Sequence, residues 1–193
     1  MNSITKNRLK LVFIATLFSL PVITAWTVYM NPQLLEGVET KNNGELISPA
    51  IPSELSEFIE GGSDIDMGHL KGRWVLLHID LDGKCSQACI KSVHILGQLK
   101  VLLNKNSKRF KRVYLAKTTE KVNALLLNDA DLSVYSWSTE HIEKLSELVE
   151  GLIDGDMLLL DPLGNIMMKY QENADPYGIQ KDLKLLFKAS QIG

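Results

Sequence analysis

The chain of 193 residues is long enough for one globular domain and an additional segment. Apolar residues make up 45% of it and charged residues 23%, a balance that excludes disorder of the chain as a whole. When the three basic residues before an N-terminal apolar run are set aside, 18 Lys and Arg stand against 23 Asp and Glu, a formal charge of −5. An acidic domain without a basic cluster argues against nucleic acid as a partner, because phosphate binding needs clustered Lys and Arg.

The first predicted element is an apolar helix over residues 11–30. These twenty residues carry no charge, and at about 1.5 Å per residue they can cross a hydrocarbon core roughly 30 Å thick. The basic residues that precede them are Lys6, Arg8 and Lys10. The positive-inside rule therefore predicts cytoplasmic residues 1–10, a single-pass anchor and an exported remainder. We expect the anchor to lie in a bacterial-type inner membrane and the remainder in the periplasm. The alternative is a cleaved signal peptide, whose apolar core is usually shorter, about 7 to 15 residues.

Residues 31–56 are predicted to be a linker, because Asn, Gly, Pro and Glu are frequent there. Asn42-Asn43-Gly44 has turn chemistry that could close a hairpin within this linker. The globular domain then occupies residues 57–193.

The first half of this domain predicts a strand, a helix and a second strand. Arg73–Asp80 is a mostly apolar run between turn residues and fits a buried central strand. Residues 86–104 have helical periodicity, and Arg112–Ala116 reads as the next strand. The buried stripe of the helix comprises Cys89, Val93, Leu96, Leu99 and Leu103. This order implies a right-handed parallel crossover in an open α/β sheet.

The second half predicts further crossovers and a hairpin. The expected elements are a helix around 122–127, a strand around 132–137, a helix over 139–150, a strand over 157–160, an antiparallel return strand over 165–170, and a last helix that Asp175 caps with Pro176 at its first position.

Two cysteines lie four positions apart where the first strand gives way to the helix. The N-terminus of a helix carries partial positive charge that stabilises a thiolate, so Cys85 is expected to be the more reactive. One helical turn brings both sulfurs to one side, which permits a disulfide or shared coordination of soft Cu(I). A closed zinc site would need four ligands. A purely structural disulfide remains open, although a loop this short gains little stability from one.

A resemblance to a known family rests on three segments: GRWVLLHID at 72–80, CSQAC at 85–89 and DPLGNIMMKY at 161–170. They resemble the SCO/SenC type of thioredoxin-like copper chaperone. The resemblance is closer still to small single-span relatives that accompany the assembly factors of haem-copper oxidases, which also share NGELI-x-P at Asn43–Pro49. It implies a thioredoxin-like fold, a central mixed sheet flanked by helices, behind one transmembrane helix. It also implies a role in cytochrome c oxidase biogenesis, through copper delivery or thiol-disulfide exchange, with an oxidase subunit or other assembly factors as partners. Cys85 and Cys89 match the redox and copper cysteines.

The third copper ligand of SCO proteins has no counterpart at the matching position. That histidine precedes the strand leading into the DP-x-G turn, where this chain has Leu152–Asp156. The proline that thioredoxins carry beside their disulfide is also lacking. Copper binding would therefore need another ligand.

The remaining candidate residues have plainer interpretations. His78 on a strand and His94 on another helical face than Cys89 are expected to be structural, while His69 and His141 could approach the cysteines only through the tertiary fold. Weaker candidates for soft ligands or acid-base groups are Met157, Met167, Met168, Asp154 and Asp156.

Three functions follow as hypotheses. The first is an accessory protein of oxidase assembly that cycles Cys85 and Cys89 between dithiol and disulfide or holds Cu(I) transiently. The second is a membrane-tethered interaction module with a static disulfide. The third is a peroxide- or disulfide-reducing enzyme, a thiol-disulfide oxidoreductase.

Overall fold

A computed structural model of the chain describes residues 3–35, 41–117, 126, 128–190 and 192. The chain divides into two compact units, one ending at Lys41 and the other beginning at Asn42. Each unit has its own architecture and is described separately.

The first unit is dominated by a single helix, α1, Ser3–Met30, followed by a short 3-10 helix over Pro32–Leu35. Its segment Thr5–Met30 has a mean hydropathy of 2.0 and is long and apolar enough to cross a membrane. Most of the large apolar side chains of α1 are exposed. The predicted span over residues 11–30 lies within this helix.

The second unit is built on a mixed sheet whose described strands run in the order β1-β6-β5-β2-β3-β4. The strands are β1 Glu45–Ile51, β2 Trp74–Ile79, β3 Phe110–Ala116, β4 Leu132–Ser136, β5 Met157–Leu160 and β6 Ile166–Tyr170. The central strand β2 pairs in parallel with β3 and antiparallel with β5. The strand β4 is parallel to β3, while β1 and β6 continue the antiparallel half. The predicted central mixed sheet is confirmed.

Helices cover both faces of this sheet. They are α2 Gln87–Gly97, α3 Leu99–Leu103, α4 Thr139–Leu148 and α5 Pro176–Ala189, with 3-10 turns over Leu55–Phe58 and Asn104–Arg109. Alternate residues of β2 enter two different cores, as expected for a strand buried on both faces. Val75, Leu77 and Ile79 pack in one core with Leu145 of α4. Trp74 and Leu76 pack in the other with residues of α2, α3 and α5.

The strand β1 corrects the predicted linker. Glu45–Ile51 pairs with β6 and so belongs to the sheet, and its compact unit begins at Asn42 rather than near residue 57. The start of β1 is fixed by the buried carboxylate of Asp182, which accepts hydrogen bonds from the backbone N–H groups of Asn43 and Gly44. The residues that would complete the predicted hairpin, 36–40, lie outside the described part of the chain.

The other elements agree with the predictions, with one interruption. The helix expected over 86–104 is divided at Gln98 into α2 and α3, although the whole predicted stripe is buried. The hairpin of β5 and β6 is antiparallel, and Asp175 caps α5 by accepting from the N–H groups of Tyr177 and Gly178. The strand expected around 132–137 is β4. The helix expected around 122–127 falls almost entirely on residues that the structure does not describe.

Candidate functional site around the cysteine pair

The two cysteines are joined by a disulfide at the start of α2. Ser86 is the N-cap of this helix, and its hydroxyl accepts a hydrogen bond from the N–H of Cys89 at 3.3 Å. Cys85 therefore lies just before the helix and Cys89 in its first turn, with their Cα atoms 5.3 Å apart. Cys85 is half-buried, whereas Cys89 is only 7% exposed. A reagent from solution would meet Cys85 first.

The fold brings His78 against this pair. Its Nε2 atom lies 3.8 Å from the Sγ of Cys89, and its ring is 4% exposed. Burial lowers the pKa of His78 to about 4, so the imidazole is neutral at physiological pH. Its other nitrogen, Nδ1, is buried and has no hydrogen-bond partner among the described residues.

The interpretation of His78 as a purely structural strand residue left out this contact. The sequence contains a pattern that could have predicted the contact between His78 and Cys89. Residues 74, 76 and 78 share one face of a strand, and the helix that follows the strand carries Cys89. A right-handed crossover then decides which face that helix covers. The candidate histidine thus comes from the strand before the cysteines.

Tyr114 contacts the same sulfur from the neighbouring strand β3. Its hydroxyl oxygen is 3.6 Å from the Sγ of Cys89, and its ring stacks on His78 with centroids 5.2 Å apart. The hydroxyl donates a hydrogen bond to the Oδ2 of Asp80 at 3.0 Å. Burial, reinforced by the neighbouring carboxylate of Asp80, raises the pKa of Tyr114. The group is therefore a neutral phenol at physiological pH.

Asp80 lies at the end of a row of contacts that begins at Cys89 and passes through Tyr114. Its side chain is buried, and burial raises the pKa of its carboxyl group above the usual range. Its Oδ1 accepts from the N–H of Gly83 at 2.6 Å, and its carbonyl accepts from the indole N–H of Trp137 at 2.9 Å. These bonds fix the loop that leads from β2 to the cysteines.

The other three histidines do not contact either sulfur in the described structure. His94 is exposed on α2. His69 lies within 3.4 Å of the hydroxyl oxygens of Ser133 and Tyr135. His141 belongs to the N-terminal cap of α4, where its Nδ1 accepts from the N–H of Ser138.

The methionine candidates pack in the core. Met157 and Met168 are buried with Trp74 and its neighbours, and Met167 packs against the same core from a half-buried position.

The two carboxylate candidates serve the loops around β5. An Asp154 oxygen accepts a hydrogen bond from the N–H of Leu81 at 2.7 Å. Asp156 is buried, accepts from the N–H of Ile153, and has a raised pKa because of burial. Their positions fit loop anchoring.

The atoms around the sulfur of Cys89 determine which chemistry this site can perform. The described atoms around Cys89 Sγ comprise a second sulfur, a neutral imidazole nitrogen and a phenol oxygen. Two thiolates and an imidazole are soft or borderline donors, which suit Cu(I) rather than a hard cation. The same cysteines, one accessible and one buried, also suit thiol-disulfide exchange.

Comparison with known proteins identifies the family of this chain. A comparison with curated protein sequences found no match. Residues 74–190 match the family model described as "transmembrane-like, thioredoxin-like, C-terminal domain". The chain belongs to this family. The thioredoxin-like fold predicted from the sequence is thereby confirmed.

Several solved structures have a fold similar to that of this chain. The apo Sco1 protein of Thermus thermophilus has a TM-score of 0.54 at 14% identity, over 75% of this chain and 96% of that protein. Copper-bound ScoI of Arabidopsis thaliana has a TM-score of 0.52 at 17% identity, over 64% and 89%. A protein of Neisseria meningitidis described as a thioredoxin has a TM-score of 0.50 at 12% identity, over 78% and 93%. At these identities the likeness is one of fold, and at that level the resemblance to the SCO/SenC type is confirmed.

Proposed function

We propose that this family member is a membrane-anchored accessory protein whose Cys85–Cys89 pair exchanges disulfides with a cysteine-containing partner. The observation that carries the proposal is the unequal burial of the two cysteines in their disulfide at the start of α2. Exchange requires one sulfur open to attack and a second sulfur close enough to resolve the mixed disulfide. Cys85 and Cys89 satisfy both requirements.

In the proposed exchange, the dithiol form acts on an oxidised partner. The thiolate of Cys85 attacks the partner disulfide, forms a mixed disulfide and releases one partner thiolate, which takes up a proton. Cys89 then loses its proton and attacks the Cys85 sulfur, which releases the second partner thiol and forms the Cys85–Cys89 disulfide. Two electrons and two protons pass to the partner. A dithiol donor returns this chain to its reduced form.

The proposed location is the periplasmic side of a bacterial inner membrane. The cluster of Lys6, Arg8 and Lys10 before the apolar segment favours a cytoplasmic N-terminus. An exported domain would lie in an oxidising compartment, where disulfides form and persist. The proposed partners are an apoprotein subunit of cytochrome c oxidase or other factors of its assembly, as the SCO/SenC resemblance implies.

Transient Cu(I) binding by the same cysteines is the second candidate function. The buried imidazole of His78 beside Cys89 favours it, because it adds a nitrogen donor to two thiols. Copper would then be the cargo of the chain, taken up by the dithiol form and passed to the oxidase. The alternative, an interaction module with a static disulfide, predicts that the pair stays oxidised under all cellular conditions.

Oxidase content in host membranes tests this proposal. Cells carry the wild-type chain, the Cys85→Ser, Cys89→Ser double variant, or His94→Gln as a control on the same helix. The proposal expects reduced oxidase copper and activity in the double variant alone, with equal amounts of chain in the membrane. Unchanged copper and activity in the double variant would contradict a role of the cysteines in oxidase assembly.

A further inference from the structure

The position of His78 carries an inference about the ligand set of the copper site. It rests on the Cu(I) part of the proposed function and names a residue for it. From the contact between Nε2 of His78 and Sγ of Cys89, we infer that His78 is the third ligand of Cu(I) in the reduced protein, completing a trigonal site with the sulfurs of Cys85 and Cys89.

The spacing of the two ligand atoms fits a metal bound between them. A metal ion about 2.3 Å from a thiolate and about 2.0 Å from an imidazole nitrogen, in a trigonal arrangement, holds these atoms roughly 3.7 Å apart. The Nε2 and Sγ atoms are 3.8 Å apart. Once the disulfide is reduced, little movement of His78 or Cys89 is needed for both atoms to reach one ion.

The ring of His78 is held in this orientation by its surroundings. It lies on the central strand β2, directly opposite Tyr114 in the register of β3, and stacks on that ring at 16°. A ligand on a central strand keeps its direction better than one on a loop.

Packing alone does not explain a histidine at this position. Its ring is 4% exposed, and Nδ1 has no hydrogen-bond partner in the described residues. An unsatisfied buried polar group costs on the order of 1–3 kcal/mol, which an apolar residue of similar size would avoid. A ligand role for Nε2, with the ring proton on Nδ1, would account for keeping an imidazole here despite this cost.

The donor set is selective for a soft monovalent ion. Two thiolates and one imidazole carry two negative charges, so bound Cu(I) leaves a single net negative charge. Zinc in a structural site would need a fourth donor. Among the described residues, a further polar atom against the sulfur is the hydroxyl oxygen of Tyr114, a hard and protonated group that already donates to Asp80.

Binding is coupled to the redox state of the cysteines. A dithiol donor supplies two electrons and two protons to the Cys85–Cys89 disulfide and leaves as a disulfide itself. Cu(I) then displaces both thiol protons as it binds, since thiolates are the ligands. The disulfide form has no thiolate to offer. The ion is therefore released when a partner disulfide takes two electrons from the pair and, with two protons from water, leaves as two thiols.

The test is a competition titration of the reduced full chain in detergent with Cu(I) and a chromophoric chelator, combined with X-ray absorption at the copper edge. The variants are His78→Phe, which keeps an aromatic ring on Tyr114, and His78→Met, which offers a soft thioether. His94→Gln, at an exposed position of α2, and Cys89→Ser are the controls.

The inference expects one Cu(I) per chain with two sulfurs and one nitrogen around it. His78→Phe should weaken binding by more than the roughly 10- to 100-fold typical of losing a group that only supports a ligand, and should leave copper with two sulfurs. His78→Met should restore much of the affinity, while His94→Gln should bind like the wild type.

Two results would overturn the inference in distinguishable ways. If wild-type copper shows no nitrogen neighbour, or if folded His78→Phe binds as tightly as the wild type while Cys89→Ser does not bind, the cysteines carry copper without His78. If the reduced wild-type chain binds no Cu(I), the copper part of the proposed function fails together with the inference, and thiol exchange remains. The absorption spectrum of the wild type decides the first case even if His78→Phe does not fold.

Discussion

The hydroxyl group of Tyr114 donates a hydrogen bond to the buried carboxylate of Asp80 while its oxygen lies 3.6 Å from the sulfur of Cys89. The side chain of Tyr114 thus connects the central strands β2 and β3 to the cysteine pair. Because Asp80 also accepts from the N–H of Gly83, it ties the loop after β2 to the same point. The geometry around the cysteines therefore depends on the preceding loop and on Tyr114, which is 25 residues from Cys89 in sequence.

Tyr114→Phe should destabilise the protein by about 1–2 kcal/mol. The substitution keeps the ring but removes a donor from a buried, charged acceptor, for which hydrogen bonds contribute roughly 1.5–3 kcal/mol. It should also raise the pKa of Asp80 further, because the bond from Tyr114 favours the ionised carboxylate. Chemical unfolding of the full chain in detergent measures the first effect. Tyr135→Phe, on β4, is the control, and equal stability of Tyr114→Phe and the wild type would contradict the prediction.

His78 should make the protein less stable as the pH falls from about 6.5 to about 4. Its pKa in the folded state is lowered to about 4, so the unfolded chain binds this proton first and unfolding is favoured in that window. One proton changes the slope by at most about 1.4 kcal/mol per pH unit. Asp80, with a raised pKa, acts in the opposite direction.

Unfolding curves of the wild type and His78→Phe between pH 4 and pH 8 isolate this contribution. Asp80 and Tyr114, the titratable groups near the ring, are present in both proteins, and Cys89 does not titrate in the disulfide. Below pH 6.5, the free energy of unfolding of the wild type should fall relative to that of His78→Phe. A difference that is independent of pH would show that the ring is not buried in its neutral form.

Asp182→Ala should lower the free energy of unfolding by about 3 kcal/mol or more. The carboxylate of Asp182 accepts hydrogen bonds from Asn43, Gly44 and the hydroxyl of Tyr170, at the point where β1 enters the sheet. Its loss leaves several buried donors without an acceptor, each with a penalty of roughly 1–3 kcal/mol if it stays buried. The exposed neighbour Lys181→Ala should change the stability by less than about 0.5 kcal/mol. Hydrogen exchange should show β1 opening first, and retained protection of Glu45 and Leu46 would count against this anchoring.

Cys85 should react with an alkylating reagent at least about ten times faster than Cys89 once the disulfide is reduced. The expected difference follows from accessibility, since Cys89 is only 7% exposed, and from the reactivity of thiolates near helix N-termini. Mass spectrometry of Cys89→Ser and Cys85→Ser during timed alkylation gives the two rates separately. Equal rates would mean that the first turn of α2 opens in the reduced protein.

The elements with strong periodicity could be predicted from the sequence. The stripe from Cys89 to Leu103 is buried as expected, and Asp175 and Pro176 start the last helix. The strand β1 could not be predicted in this way, because most of its residues are exposed and its partner β6 lies more than a hundred residues later. The interruption at Gln98 likewise leaves no break in the buried stripe.

The cysteine pair of the candidate site could be singled out from the sequence, but its surroundings could not. Two cysteines after a buried strand pointed to a reactive pair, and local spacing was sufficient for that. The contact with His78 depends on which face of β2 the next helix covers, and the contact with Tyr114 depends on the register of β3. Such contacts are set by tertiary packing, so periodicity within one element does not reveal them.

The reduction potential of the Cys85–Cys89 disulfide in the full chain tests the central claim most directly. The chain is equilibrated with glutathione buffers and then alkylated, and the fractions of dithiol and disulfide are read by mass. An exchange function predicts a potential between about −120 and −270 mV, the range of proteins that exchange disulfides. A potential below about −300 mV, typical of structural disulfides, would contradict it and leave the pair as a static crosslink.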